Sequence, residues 1–564
     1  MLITSGPTPT ADGSLRGVPL TPATVGDLAV RHALQLRCAA PSGADVQVRG
    51  TCLDSRRVGP GQLYAALPGG TTHGARFAQE VVAAGAAAVL TDPEGADLVH
   101  SLLAGALATV PPLLVTDDPR RRLGPVAADV LGHPSHEVSL VGVTGTNGKT
   151  TVSSLVEELL RAVGVPTGLI GTIRSRILDT ELASAFTTPE APDLQRLLRE
   201  MADAGCRAVC AEVSSHALAQ HRVDGTRFAV VVFTNLSRDH LDFHGTIEAY
   251  FAAKLRLFTD GFAGTAVVGV DDPRGVEVAR AARAAGLRVL TVGTGAGTTG
   301  AAADVTVTVT AVRPSGHQRL ELTGPFGDAG SARTLELQLG MPGGFNATNA
   351  ALALTTAHLL LADRRPAAGL DGSAAPALLP DGATVTADDL AAALGRVGGV
   401  PGRMERVVLP DGKDRPLVVV DYAHTPDAVA GAVAALREAT PGRLVVVLGA
   451  GGDRDRGKRA GMGAAASGAD LVVVTDDNPR TEDPAAIRAA VLAGVRAPSA
   501  EVGDRAEAVA AALAACSGPA DTVLLAGKGH ETGQSAGGTT TPFDDRAVAR
   551  HALARWVPAD GDAP

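Results

Sequence analysis

The sequence predicts an α/β protein of three domains: a small N-terminal α/β domain, a central P-loop-type, doubly wound, mostly parallel sheet, and a C-terminal Rossmann-like α/β domain. Three observations predict it. The chain has 564 residues, more than one hydrophobic core serves at roughly 100 to 200 residues per domain. Short continuous apolar runs alternate with helical stretches, the pattern of strands buried on both faces of a parallel sheet. A glycine-rich run, Val141-Gly-Val-Thr-Gly-Thr-Asn-Gly-Lys-Thr-Thr151, joins one such strand to a helix.

The first unit, 1–135, is rich in Ala, Gly and Pro and holds short strand candidates at 86–90 and 112–115. The second, 136–400, opens on a strand at 138–143. Residues 150–163 then place Val152, Leu155, Val156, Leu159 and Leu160 at helical spacing. Further strands are expected at 206–213, 228–234, 266–270 and 287–292, with a helix at 250–258. Between 361 and 388 periodicity is lost among Ala, Gly, Pro and Ser, so 363–388 reads as a surface insertion or linker rather than core, followed by a boundary near 398–403. The third unit, 401–564, supplies strands at 417–421, 444–448, 471–475 and 522–526. Each ends in polar residues and Gly, and ligands of such sheets bind beyond the strands' C-terminal ends. No internal repeat is visible beyond this shared rhythm.

A formal net charge of -10, without any Lys/Arg-rich run, argues against a nucleic-acid surface. No basic segment precedes an apolar stretch at the N-terminus, and no run approaches the roughly 18 apolar residues of a membrane span. The expectation is a cytoplasmic protein acting on small molecules, monomeric, with no membrane or nucleic-acid partner. Five scattered cysteines, an odd number, suit reduced thiols. Cys206 and Cys210 flank an apolar strand and read as core packing rather than as zinc ligands.

ATP is the first ligand to expect. A helix N-terminus behind the glycine loop offers free N–H groups to phosphate; Lys149 can meet the terminal phosphates and Thr150 can hold magnesium. The loop is a variant, since the glycine expected six residues before Lys149 falls at Val143. On the next strand stands Glu212-Val-Ser-Ser-His216, followed by Gln220 and Arg222. Glu212 there can orient magnesium, or be a solvated strand-end carboxylate. Thr234-Asn-Leu-Ser-Arg-Asp-His-Leu-Asp242 converges on the same crevice, where His240 can ligate a second divalent ion. Lys254, in an apolar helical stretch, reads from sequence physics as a snorkelling surface lysine.

Four motifs of the third unit share one rim: Asp421-Tyr-Ala-His-Thr-Pro426, Gly451-Gly-Asp-Arg-Asp-Arg-Gly-Lys458, Asp476-Asp-Asn-Pro-Arg480 and Gly527-Lys-Gly-His-Glu531. Arg454 and Arg480 can each grip a carboxylate, while Asp477 and Glu531 can accept from an ammonium. The rim therefore suits a zwitterionic amino acid.

Gly145-Thr-Asn-Gly-Lys-Thr150 resembles the loop of the muramyl ligases and folylpolyglutamate synthetases, which form amide bonds at the expense of ATP. With Leu53-Asp-Ser-Arg56, Gly61-Gln-Leu-Tyr64, Thr187-Thr-Pro-Glu190, Pro401-Gly-Arg-Met-Glu405 and the motifs above, nearly the whole chain resembles the muramyl ligase family, and within it the members that add the third residue of the peptidoglycan stem. The resemblance implies ATP contacts from Gly145, Thr146, Asn147, Gly148, Lys149, Thr150, Thr151, Arg403, Asp421 and His424. It implies that Leu53, Ser55, Gly70, Thr71 and Thr72 hold the UDP end of a UDP-N-acetylmuramoyl-dipeptide, and Thr187, Thr188, Ser214, Gln220 and Arg222 its muramoyl-dipeptide. It assigns meso-diaminopimelate to Arg454, Asp477, Asn478, Pro479, Arg480, Gly527 and Glu531. Two Mg2+ ions would lie among Thr150, Glu212, His240 and Lys254, the last as a carbon dioxide-derived carbamate, and Lys149, Glu212, His240 and Lys254 would form the catalytic group.

The reaction implied is phosphorylation of the D-glutamate γ-carboxylate by ATP, then attack by the diaminopimelate amine on the acyl phosphate. Lysine-adding relatives lack the arginine of Asp477-Asn-Pro-Arg480, and the first-domain motifs argue against a folyl substrate. A regulatory P-loop ATPase would leave Arg454, Arg480 and Glu531 unexplained. The chain departs from the family at Phe186, at Gly70-Thr-Thr72 and in the 363–388 insertion.

Overall fold

The structure, a computed structural model, describes residues 23–104, 110–184, 186–295, 302–327, 330–362, 377–379 and 383–558. Most of the expected 363–388 insertion lies outside the described residues; its last residues enter helix Ala387–Leu394, capped by the Thr386 hydroxyl.

Eleven strands form the central sheet, in the order Thr180–Leu182, Ser175–Ile177, Thr167–Ile170, Ala208–Glu212, Ser139–Thr144, Val230–Phe233, Thr265–Gly269, Arg288–Gly293, Val305–Val312, Gln318–Gly324, Arg333–Leu339. The run of seven from Thr167–Ile170 to Val305–Val312 is parallel. Antiparallel strands extend both edges. Alternation along the strands explains the double winding: Val141 and Val143 face one core with helices Lys149–Ala162 and Gly344–Ala362, while Leu140 faces the other with helices Ala191–Asp203, Ile247–Thr259 and Pro273–Ala284. Cys210 lies within strand Ala208–Glu212 and Cys206 just before it, and both are buried in these cores.

The C-terminal sheet runs Glu405–Val407, Leu417–Asp421, Thr522–Ala526, Leu444–Leu448, Leu471–Val474, Ser499–Glu501, with only the first strand antiparallel. Arg505 and Asp545, both fully buried, pair at 2.7 Å, and the same guanidinium donates to the Ala526 carbonyl at 3.0 Å. That contact fixes the strand end from which the 527–531 loop departs. The N-terminal sheet, Gln35–Arg37, Leu113–Val115, Ala88–Thr91, Gln62–Ala66, Gly50–Cys52, is likewise parallel except for its first strand. Each sheet falls inside one of the units 1–135, 136–400 and 401–564, which we propose as the domains. Among the described residues no helix is long and apolar enough to cross a membrane.

Candidate active site

The glycine loop turns directly from strand Ser139–Thr144 into helix Lys149–Ala162. Gly145 and Gly148 take φ of 147° and 86°, and neither could carry a side chain: a Cβ on Gly145 would overlap the Thr234 hydroxyl, and one on Gly148 would stand 2.5 Å from Asn349 Oδ1. Lys149 folds back to donate to the carbonyls of Gly145 at 3.0 Å and Thr146 at 2.8 Å, and burial lowers its pKa. Gly145→Ala is expected to weaken ATP binding at least about tenfold with the fold intact, because the cradle must open to admit the methyl; nucleotide titration calorimetry beside circular dichroism checks this.

Glu212 ends its strand 1% exposed. Its Oε2 accepts from the Thr150 hydroxyl at 2.9 Å and the Thr172 hydroxyl at 3.0 Å, and its Oε1 accepts from the Thr172 N–H at 2.7 Å. Gly171 makes the space, since a Cβ there would lie 2.6 Å from Oε1. A carboxylate and a hydroxyl side by side at a phosphate loop fit a hard cation that prefers oxygen. Around this point Thr188 donates to the Glu212 carbonyl at 2.8 Å, Arg222 donates to the Thr188 carbonyl and to Gln220, and Ser214 caps helix Ser215–Ala219. The Arg222 guanidinium lies 5.5 Å from the centre of the Phe186 ring, which is exposed at the cleft.

Lys254 is 1% exposed, so its reading as a surface lysine is overturned: the helix Ile247–Thr259 turns that side chain inward onto the phosphate loop. Its amine donates to the Gly145 carbonyl at 2.7 Å and lies 4.5 Å from the Tyr250 ring centre. Burial, then the Lys149 charge, pushes its pKa well below the lysine range, which favours the neutral amine. His240, on the exposed lip with φ 53°, packs edge-on to His216 at 4.8 Å between ring centres. Desolvation in the cleft, against the pull of Asp239 and with help from His216, Lys149 and Lys254, holds its imidazole down at about 4. Among the described residues no three His, Cys, Asp or Glu side chains gather as a metal site. The expected ligands combine one carboxylate and one imidazole with a hydroxyl and a lysine.

One cavity of about 930 Å3 joins these groups to the C-terminal domain. Residues 146–151, Thr187, Thr188, Glu212, Ser214, Arg222, His240 and Lys254 line it from one side, and Arg403, Asp421, Tyr422 and His424 from the other. Arg403 donates to the Thr150 hydroxyl at 3.2 Å across the domains and stacks on Tyr422 at 4.4 Å. Asp421 accepts from the N–H groups of Met404 and Ala423, fixing that turn.

A second cavity, about 570 Å3, contains Asn478, Arg480 and Glu531 of the expected rim. Asn478 donates to Glu531 at 2.7 Å. Arg480 has φ 55°, costly for a non-glycine, and is tied to hairpin Gly533–Ala536/Thr539–Pro542: its N–H donates to Ser535, its carbonyl accepts from Gly537, and its guanidinium donates to the Gly452 carbonyl at 2.6 Å. Asp477, Pro479 and Gly527 lie behind the wall and shape it, and Arg454 is exposed beside it. Leu53, Ser55 and Gly70 to Thr72 line neither cavity; Ser55 opens a turn capped by Asp54, and the 70–72 loop is exposed.

Several residues at the site were missed from sequence. Thr172 lines both cavities. Lys528, fully buried, binds Gly533, Asn478 and Glu531 and sits 3.5 Å from Asp477. Asn346 and Asn349, hydrogen-bonded at 3.1 Å, back the glycine loop. Two asparagines three apart on an apolar helix were a visible signal; nothing marked Thr172.

His530 also lines the smaller cavity, where burial, then Arg403 and Arg546, holds its imidazole down to about 4. Unfolded, it would titrate near 6.5. Between those values the unfolded chain binds the extra proton, so His530 adds to stability above about pH 6.5, and that contribution is lost as pH falls toward about 4. His530→Gln is expected to flatten the decline by about 1–2 kcal/mol, read from urea midpoints at pH 5 and pH 7.5.

Three family models match this chain: the Mur ligase family catalytic domain over 47–117, the Mur ligase middle domain over 143–357, and the Mur ligase glutamate ligase domain over 402–529. The UDP-N-acetylmuramoyl-L-alanyl-D-glutamate–2,6-diaminopimelate ligase of Streptomyces avermitilis is 45% identical over 92% of this chain and 95% of its own. A solved structure of a ligase of the same name superposes with a TM-score of 0.64 at 31% identity, covering 95% of this chain and 99% of that one. The Thermotoga maritima MurF ligase, solved with ADP, shares the fold with a TM-score of 0.55 at 19% identity over 90% of this chain and 97% of its own. From the phosphate loop to the amino-acid rim, this chain belongs to the Mur ligase family.

Proposed function

We propose that this protein uses ATP to join meso-diaminopimelate to the D-glutamate γ-carboxylate of UDP-N-acetylmuramoyl-L-alanyl-D-glutamate, releasing ADP and phosphate. The observation that carries the reading is the meeting of two cavities at Thr172, one built around a phosphate loop and the other around Asn478, Arg480 and Glu531. The diaminopimelate ligases that resemble the chain over nine-tenths of its length support the choice of substrate.

ATP lies along residues 145–151, with Arg403, Asp421 and His424 closing over it. Thr187, Thr188, Ser214, Gln220 and Arg222 present the γ-carboxylate, and Leu53, Ser55 and the 70–72 loop receive the uridine end. Lys149 and the helix N-terminus neutralise the phosphoryl group as it moves to the carboxylate oxygen. Thr150, Glu212, His240 and a carbamate on Lys254 would hold two magnesium ions, which supply further neutralisation of the phosphate oxygens. Arg454, Asp477 to Arg480, Gly527 and Glu531 hold diaminopimelate so that its neutral amine faces the acyl phosphate. The contact of Arg403 with Thr150 bridges the two domains over the cleft, an arrangement suited to keeping out water, the competing nucleophile.

The test is ATP-dependent phosphate release with the UDP-dipeptide and either meso-diaminopimelate, L-lysine or no amino acid, with the tripeptide product followed by mass. Product with diaminopimelate alone supports the reading. Product with lysine instead would replace the amino acid, and steady ATP turnover without product would sink the ligase assignment.

A further inference from the structure

We infer that Arg174, which leads into the central-domain hairpin Ser175–Ile177/Thr180–Leu182, is a further carboxylate anchor of the amino-acid pocket, beside Arg480 and the exposed Arg454, and grips the carboxylate beside the reacting amine. The inference rests on the ligase reading above. A diamino dicarboxylate brings two carboxylates into the smaller cavity, and the family assignment leaves the central-domain wall of that cavity without a role. That wall is lined by Thr172, Ile173, Arg174, Glu181 and Ser184. Thr172 also faces the nucleotide cleft, so it marks the end of the pocket where the acyl phosphate meets the amine. Arg174 is two residues away.

Among the described residues three guanidinium groups line this cavity, and their commitments differ. Arg480 is pinned to the Gly452 carbonyl on the opposite domain. Arg546 forks Asp544 through Nε at 2.9 Å and Nη2 at 2.8 Å. Among the described residues the Arg174 side chain makes one hydrogen bond, from Nη1 to Glu181 at 2.6 Å, and the Glu181 side chain is 56% exposed. An exposed ion pair contributes little in water, so a ligand carboxylate can take the guanidinium from Glu181. The hairpin beneath is held firmly: Arg176 pairs with Glu157 of the phosphate-loop helix, and both are buried. Arg174 is therefore a lightly committed head on a fixed base, which suits a bidentate clamp.

The two anchors predict different ligand dependence. L-Lysine keeps the carboxylate beside its reacting α-amine and lacks the distal one. Arg174→Gln should raise KM for meso-diaminopimelate by roughly tenfold to a hundredfold, the loss of a charge-assisted contact. It should also depress any residual incorporation of L-lysine by a similar factor, while KM for ATP and for the UDP-dipeptide stays within about twofold. Arg174→Lys should recover part of the loss, and Glu181→Gln should leave KM for diaminopimelate unchanged or lower.

The unaltered protein is assayed first. Absence of tripeptide there overturns the ligase reading and this inference with it. If tripeptide forms, an unchanged diaminopimelate KM in Arg174→Gln overturns the inference alone. Equal damage from Glu181→Gln would also overturn it, because the pair would then be only a brace.

Discussion

Lys254→Ala is expected to lower tripeptide formation by about a hundredfold to a thousandfold while leaving nucleotide affinity within a few-fold. The side chain lies 1% exposed, beside the cation of Lys149 and against the Gly145 carbonyl. A second positive charge there would be poorly placed, whereas the neutral amine can add carbon dioxide, shed a proton and become an anion that suits magnesium. Steady-state rates with and without added acetate or formate decide between roles. Rescue by a small carboxylate supports the carbamate, and rescue by methylammonium would make Lys254 a latch on the phosphate loop. Wild-type rates in the variant would remove the residue from catalysis.

Arg480→Ala should raise KM for diaminopimelate by about a hundredfold, corresponding to about 2–3 kcal/mol for a buried carboxylate left unpaired. KM for ATP and for the UDP-dipeptide should hardly move, and preference over lysine should shrink. The left-handed backbone at this position is a complication that a second variant removes: glycine takes φ 55° without strain, so Arg480→Gly and Arg480→Ala should share the kinetic defect. If glycine restored activity, the defect would belong to the backbone. Equal rises in all three KM values would end the specificity assignment.

Much of this arrangement was readable in residue order because strong local signals and the final packing agree. Apolar runs at 417–421, 444–448 and 522–526 coincide with the observed strands Leu417–Asp421, Leu444–Leu448 and Thr522–Ala526, since residues buried on both faces leave no alternative pattern to compete. The phosphate loop is legible because its glycines answer to backbone geometry. Other features were less accessible for physical reasons. The strands Val305–Val312, Gln318–Gly324 and Arg333–Leu339 alternate apolar and polar residues, a period-two signal weaker than that of the continuous runs. Hairpin Ser175–Leu182 offers three-residue strands, too short for any period, and its place beside the amino-acid rim depends on how two domains meet. Lys254 is instructive in another way: the sequence carries a lysine in an apolar stretch, but only tertiary packing tells whether its head reaches water.

The buried pair of Arg505 and Asp545 bears on where this polypeptide can be shortened. The recognisable ligase domain ends at residue 529, so helix Asp545–Arg555 has the look of a dispensable appendage. It supplies the counter-charge for a guanidinium with no exposed surface. A chain cut after the 527–531 loop would strand that charge in the core, at a cost of about 3–5 kcal/mol, and would release the strand end from which the amino-acid loop springs. The minimal folding unit is therefore longer than the minimal set of ligand contacts, and truncation mapping would place the edge of function beyond the last residue that touches substrate.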